Sequence, residues 1–186
     1  MEKLKSSAKV KILLTSFQTW LPHQKSNSSD DLLEISQKSN YVAVADLFFL
    51  RNLPVNIEQA SHKVIKEVEH IQPEVVICCG MAEKRTKLTI ESNASCANEC
   101  LYTTVNLTDL VKTLKLTEVS HDAGKFVCEG LYYQLLKYIR TQRLSTYCIF
   151  VHVPLLSSNQ AQQLIKQDFE SIIDQLACML DANQEN

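Results

Sequence analysis

The run EVVICCG at 74–80 is the feature that most restricts what this chain can become. Between its glutamate and its glycine every residue is apolar, so the segment has no wet face. Strands of that kind are stable where helices cover a parallel sheet on both sides. The segment is therefore expected at the centre of such a sheet. VKILLT at 10–15 reads as a buried first strand, and YVAVADLFF at 41–49 as a second, carrying Val42, Val44 and Phe48 before Pro54 interrupts. KLTIESNA at 87–94 alternates Leu88 and Ile90 with Thr89, Glu91 and Asn93, which predicts a strand with one polar face and Glu91 turned away from its apolar side. A short strand is expected around 116–120. In YCIFVHVP at 147–154, stopped by Pro154, Ile149, Val151 and Val153 share one face, and Phe150 and His152 share the other.

Helical patterns fall between these strands. Ile57, Ala60, Val64, Val68 and Ile71 recur at helical spacing over 56–71, and Pro73 ends that run. Val127, Leu131, Leu135 and Ile139 do the same over 125–140, behind Gly124. A last helix over 160–180 directs Leu164, Phe169, Ile172, Ile173 and Leu176 to the core. Shorter helices are expected at 31–37 and 106–115, with loops over the rest of 16–40 and over 94–104. The alternation implies an α/β fold, a three-layer α/β/α sandwich around a mostly parallel or mixed central sheet. A single domain should span 1–186, frayed over 1–9 and 181–186.

A chain of 186 residues, 45% hydrophobic and 22% charged, can fill one such core. Its net charge of −2, with both signs mixed along the sequence, offers no basic stripe for nucleic acid or an anionic membrane. The opening apolar run, 10–14, is too brief for a signal segment or a membrane span, which points to the cytoplasm. Seven cysteines, an odd number without the dense spacing of a secreted scaffold, are expected to be mostly free thiols there, and the sequons at Asn27, Asn93 and Asn106 then carry nothing. The glycines are Gly80, Gly124 and Gly130, so neither a dinucleotide fingerprint nor a serine elbow can be written. No cofactor is expected. Cys96 and Cys100, with His121 and Cys128 downstream, give a weak zinc-like spacing without a second close ligand pair, so no metal is expected either.

In open α/β sheets, sites gather at the carboxyl ends of strands, where the first turn of a following helix offers unpaired N–H groups and a positive dipole end. Cys128, in the first turn of its helix, and His152, at the end of its strand, occupy such positions. The helix end should stabilise the thiolate of Cys128, its free N–H groups could receive an oxyanion, and Lys125 adds positive charge nearby. By residue type alone each has an ordinary reading: Cys128 as packing, His152 as a hydrogen-bonded strand residue, Glu91 as a solvated carboxylate. Spacing does not make them a triad.

A resemblance reaches the same residues. SHDAGKFVCEGLYYQLL at 120–136 resembles the N-T-A-G-x-F-V-C-N motif of the pyroglutamyl peptidase I family of cysteine peptidases, and IFVHVPLL at 149–156 resembles its F-I-H-V-P-x-L motif. KILLTSFQTW at 11–20 is similar to the family's K-V-L-V-T-G-F-x-P-F, and VVICCGMAEKRTKLTIE at 75–91 to its V-G-Q-A-G-G-R segment followed by I-T-x-E. The resemblance implies Cys128 as nucleophile, His152 as general base and then acid, and Glu91 as the group orienting His152. It also implies a peptide substrate with a blocked N-terminus, whose flat lactam ring would lie between Phe17 and Trp20. Met81 and Arg85 complete the implied substrate site, and self-association to a homo-oligomer follows from the family's habit.

The chain also departs from that pattern. Met81 stands where the family has a glutamine, and a thioether does not replace an amide as donor and acceptor. Ser16 replaces a glycine, Thr19 a proline, and Glu83 with Lys84 a glycine pair, so the turns beside the pocket should be reshaped. His121 and Asp122 replace an Asn-Thr pair, and the segment between Asn93 and Tyr102 is shortened, which should open the cleft. Two further readings follow: a relative retargeted to another blocked peptide or small amide, and a non-enzymatic interaction scaffold.

Overall fold

The computed structural model describes residues 9–39 and 43–184. Four parallel strands form one side of the sheet: β1 (Lys11–Phe17), β2 (Asp46–Leu53), β3 (Val75–Met81) and β8 (Tyr147–Val153). Beyond β8 lie β4 (Leu88–Glu91), which pairs with it antiparallel, and β7 (Thr117–Ser120), which is parallel to β4. The order β2-β1-β3-β8-β4-β7 makes the sheet mixed and sets β3 inside it, as its unbroken apolar run requires.

Side-chain alternation divides the core into two layers. On one side Ile12, Leu14, Ile77, Ile149 and Val151 pack with α1 (Ser28–Lys38) and α5 (Asn159–Gln184). On the other, Leu13, Val76, Cys78 and Phe150 pack with α2 (Ile57–Ile71) and α4 (Val127–Thr141). The two faces expected for β8 are those observed. Asn27 and Asn56 open α1 and α2 by accepting from the backbone N–H groups of Ser29 and Gln59, and Gln72, in the left-handed region at φ 51°, ends α2 just before Pro73.

Several expectations need correction. The second strand is shifted to Asp46–Leu53 because its partner is β1, in the register Lys11↔Asp46; positions 41–42 of the expected 41–49 run lie outside the described residues. The 94–104 loop is largely a hairpin, β5 (Asn93–Cys96) and β6 (Glu99–Tyr102), held against α4 where Glu129 accepts from the Ser95 N–H at 3.1 Å and Tyr133 donates to Glu99. The 106–115 helix shrinks to α3 (Leu107–Leu110). In α5 Phe169, Ile172, Ile173 and Leu176 are buried as expected, but Ile165 is buried in place of Leu164, which is half-buried, and the helix runs past 180 to Gln184. The expected fraying over 1–9 falls almost wholly outside the described residues.

Candidate active site

The site lies on the α2/α4 side, at the carboxyl ends of β1, β3 and β8. Gly80 and His152 are direct neighbours in the β3–β8 register. Phe126 immediately precedes α4, so Cys128 stands in the helix's first turn, and its sulfur rests over Gly80: a Cβ built there would approach Sγ to 2.7 Å. A glycine inside an otherwise bulky strand marks such a close approach. Cys128 and His152 line one cleft of about 210 Å³ with Phe17, Trp20, Met81 and Phe126. A larger hollow of about 710 Å³ lies around Leu101, Arg140 and Tyr147, at the opposite end of β8, and contains neither Cys128 nor His152. The smaller cleft is the candidate site because polar groups converge on it at the strand ends.

β4 runs against β8 with Thr89 opposite His152 and Glu91 opposite Phe150, one step deeper in the sheet. From there Glu91 accepts a hydrogen bond from His152 Nδ1 at 2.8 Å. That bond fixes the tautomer and leaves Nε2 available to the cleft. Glu91 is wholly buried, contrary to the solvated carboxylate that the alternation of β4 suggests. Its Oε1 also accepts from Arg85 and Thr89. Burial works to raise the Glu91 pKa, yet hydrogen bonds from the His152 and Ser120 side chains, the charge of His152 and the Arg85 contact together hold it below its ordinary 4.5. Oε2 has no hydrogen-bond partner among the described residues.

The helix end pulls the thiol towards the thiolate, as its position suggests, but is outweighed. Burial, with Cys78 and the Glu91 charge adding to it, pushes the Cys128 thiol up to about 12, against the smaller opposing pulls of Arg85 and of the residue's own N–H. Any attack by this sulfur would require a base to take its proton first.

Phe17 lines the cleft from the end of β1, where the β1–β2 register shifts between Thr15 and Phe17 and Asn52 takes φ 58° beside Ser16. Trp20 is about half exposed and contacts Phe126, ring centroids 5.0 Å apart. Phe126 belongs to the Cys128 motif, but sequence reasoning gave it no role. Gly80 was missed likewise; its place before the end of an apolar strand was the available signal. Met81 lies in the cleft with its sulfur accepting from the Ser28 N–H at 3.5 Å. Arg85 lies outside this lining, in an adjoining hollow that shares Trp20 and Met81, with its guanidinium turned to Glu91, Thr89 and the Asp122 carbonyl.

The altered turns make their own contacts. Ser16 donates to Asp30, itself paired with Arg51, and Glu83 accepts from Gln24 at 2.8 Å, tying the loop after β1 to the loop after β3. His121 is exposed with Nδ1 2.7 Å from Ser92 Oγ, and it does not line the cleft. The hairpin register sets Cys96 opposite Glu99 and Cys100 opposite Ser95, so the two thiols leave from opposite faces. Among the described residues no helix is long and apolar enough to cross a membrane.

A thiol at a helix N-terminus, an imidazole in the same cleft and a buried carboxylate on that imidazole form the equipment of a cysteine-type hydrolase. The pyroglutamyl peptidase family model matches residues 10–113 and 97–178, and the chain belongs to that family. It is 24% identical over 174 residues to the pyrrolidone-carboxylate peptidase of Brachyspira hyodysenteriae, covering 80% of this chain and 85% of the relative. It is also 24% identical over 140 residues to that of Brevibacillus brevis, covering 61% of this chain and 65% of the relative. The fold is shared with pyroglutamyl peptidase I from Bacillus amyloliquefaciens, with TM-score 0.78, 20% identity and coverage of 91% of this chain and 95% of that one. Pyrrolidone carboxyl peptidase from Thermococcus litoralis gives TM-score 0.75 at 19% identity, covering 95% and 96%.

Proposed function

We propose that this chain is a cysteine peptidase that hydrolyses the amide following an N-terminal pyroglutamyl residue, with Cys128 as nucleophile, His152 as base and then acid, and Glu91 as the residue orienting His152. The observation that carries this reading is the bond from His152 Nδ1 to the wholly buried Glu91 at 2.8 Å, made where His152 shares a cleft with Cys128 in a member of this family.

His152 Nε2 takes the thiol proton as sulfur attacks the amide carbonyl carbon. This suits a thiol whose resting pKa lies near 12 better than a preformed thiolate. The unpaired N–H groups of the first turn of α4 receive the oxyanion. The amide C–N bond breaks as the imidazolium returns its proton to the departing amine. Water, deprotonated by His152, then hydrolyses the thioester and releases the free pyroglutamate. Glu91 stays ionised throughout and stabilises the imidazolium. Phe17, Trp20 and Phe126 provide aromatic walls for a flat lactam, and about 210 Å³ suits a small ring better than a bulky side chain. We place this activity in the cytoplasm and expect a homo-oligomer.

Met81 supports a second reading, a retargeted enzyme that uses the same three residues on another blocked peptide or small amide. Its sulfur, engaged by the Ser28 N–H, offers little to a lactam amide. One assay separates the two. The reduced protein should release fluorophore from pyroglutamyl-7-amido-4-methylcoumarin, and Cys128→Ala and His152→Ala should not. An inert wild type whose Cys128 is still alkylated selectively by iodoacetamide would leave the retargeted reading; equal rates in all three proteins would exclude both.

A further inference from the structure

Arg85 touches two parts of the machinery at once. One guanidinium nitrogen, Nη1, donates to Glu91 Oε1 and Thr89 Oγ1, and the other, Nη2, donates at 2.7 Å to the main-chain carbonyl of Asp122. Asp122 sits in the 121–126 connection between β7 and α4, which delivers Cys128. The Asp122 turn is itself closed, with the Asp122 N–H donating to Ser120 Oγ at 3.2 Å and the Gly124 N–H donating to Asp122 Oδ1 at 3.0 Å. A pull on that carbonyl is therefore transmitted to a stiff loop. Arg85 is about one quarter exposed and Glu91 not at all, so their ion pair is largely shielded from water.

We infer that Arg85 is a positioning residue: its planar guanidinium locks the buried carboxylate behind His152 to the loop that carries Cys128, holding carboxylate, base and nucleophile in one register. This rests on the proposed Cys128 and His152 chemistry. A planar fork suits the task, since it can hold a carboxylate and a carbonyl at once in fixed directions, which an ammonium does less well. Two consequences follow. Without Arg85, Glu91 stays buried but loses a charged partner, so His152 is less well oriented. The positive charge that opposes the rise of the Cys128 pKa also disappears.

The test uses the full chain with Arg85→Met and Arg85→Lys, read in two ways. The rate of Cys128 alkylation by iodoacetamide across pH needs no peptide substrate, so it remains informative even if the pyroglutamyl reading fails. Hydrolysis of pyroglutamyl-7-amido-4-methylcoumarin then separates kcat from KM. For Arg85→Met the alkylation profile should move to higher pH and kcat should fall about 10- to 100-fold with KM little changed, as expected for loss of a charge-assisted hydrogen bond felt in the transition state. Arg85→Lys should recover part of both. An unmoved alkylation profile overturns the inference, as does a raised KM at full kcat, which would make Arg85 a substrate ligand. If Arg85→Met does not fold, Arg85→Lys decides alone: a profile shifted from wild type upholds the inference and an identical one overturns it.

Discussion

Substituting Gly80 by alanine perturbs the proposed nucleophile with a single methyl group. The added carbon would lie 2.7 Å from Cys128 Sγ, 2.9 Å from Phe150 Cζ and 3.0 Å from Phe150 Cε1. Contacts between such atoms settle near 3.5–4.0 Å, so sulfur and ring must each retreat by about 1 Å or the strand must bend. Phe150 is fully buried and has little room to give. Overpacking of this size costs about 1–3 kcal/mol, which for a chain of this length lowers Tm by roughly 2–12 °C. The kinetic effect should be larger in relative terms, because a displacement of about 1 Å at a reacting group costs on the order of 100-fold. Thermal melts and steady-state hydrolysis on the same preparations give both numbers. Adding Cys128→Ala to Gly80→Ala removes one of the clashing atoms, so the double variant should regain part of the lost Tm, a coupling that a double-mutant cycle reads directly. A Gly80→Ala protein with wild-type Tm and wild-type rate would refute the packing of Cys128 over β3 on which the site description depends.

Glu91→Gln should reduce hydrolysis by about 10³- to 10⁴-fold, measured as kcat, because an amide can present the wrong partner to the imidazole. The Glu91 pKa is lowered in the folded protein, so its contribution to stability is present above its ordinary 4.5 and is lost as pH falls through the folded value. Glu91→Gln should therefore soften the acid limb of a Tm-against-pH curve without abolishing it, since Asp30, also lowered, remains. An unchanged limb would contradict the depressed pKa. Trp20→Ala should raise KM several-fold while costing only about 0.5–1.5 kcal/mol in a denaturant melt, since its contact with Phe126 is half exposed. Loss of stability at an unchanged KM would make the pair structural. Met81→Gln should improve kcat/KM on the pyroglutamyl amide by about 2- to 10-fold through one added hydrogen bond, and a fall would favour the retargeted enzyme.

Periodicity made the sheet and main helices legible because it encodes burial directly. EVVICCG, the two faces of β8 and the 56–71 stripe all report which side of an element is dry. The β5–β6 hairpin was not legible, for a physical reason. Its strands, NASC and ECLY, contain few β-branched or aromatic residues, and its turn puts Ala97, not a glycine, at φ 52°. Its bonds to Glu129 and Tyr133 supply what local propensity does not. Glu91 fails in the opposite sense. Alternation in β4 correctly separates its side chain from Leu88 and Ile90, but a polar residue on the second face reads as wet until β8 and α4 are known to cover it.

The same gap explains the Cys128 thiol. A rule drawn from local position, that a helix N-terminus favours a thiolate, holds when the sulfur faces water or a fixed cation. Here the sulfur is pressed onto a glycine in the central sheet with a buried carboxylate nearby, and those long-range terms exceed the pull of the helix end. The cleft thus stores a neutral thiol beside a base of fixed tautomer. In the proposed mechanism attack requires proton transfer to His152, and the charge separated in that step must be balanced by groups already in place. Glu91 faces the imidazolium and Arg85 faces Glu91, so the positive charge that forms on His152 meets a carboxylate whose own burial is compensated from behind. Removing that outer cation should therefore be felt at Cys128 even though Arg85 lies outside the cleft that the sulfur lines.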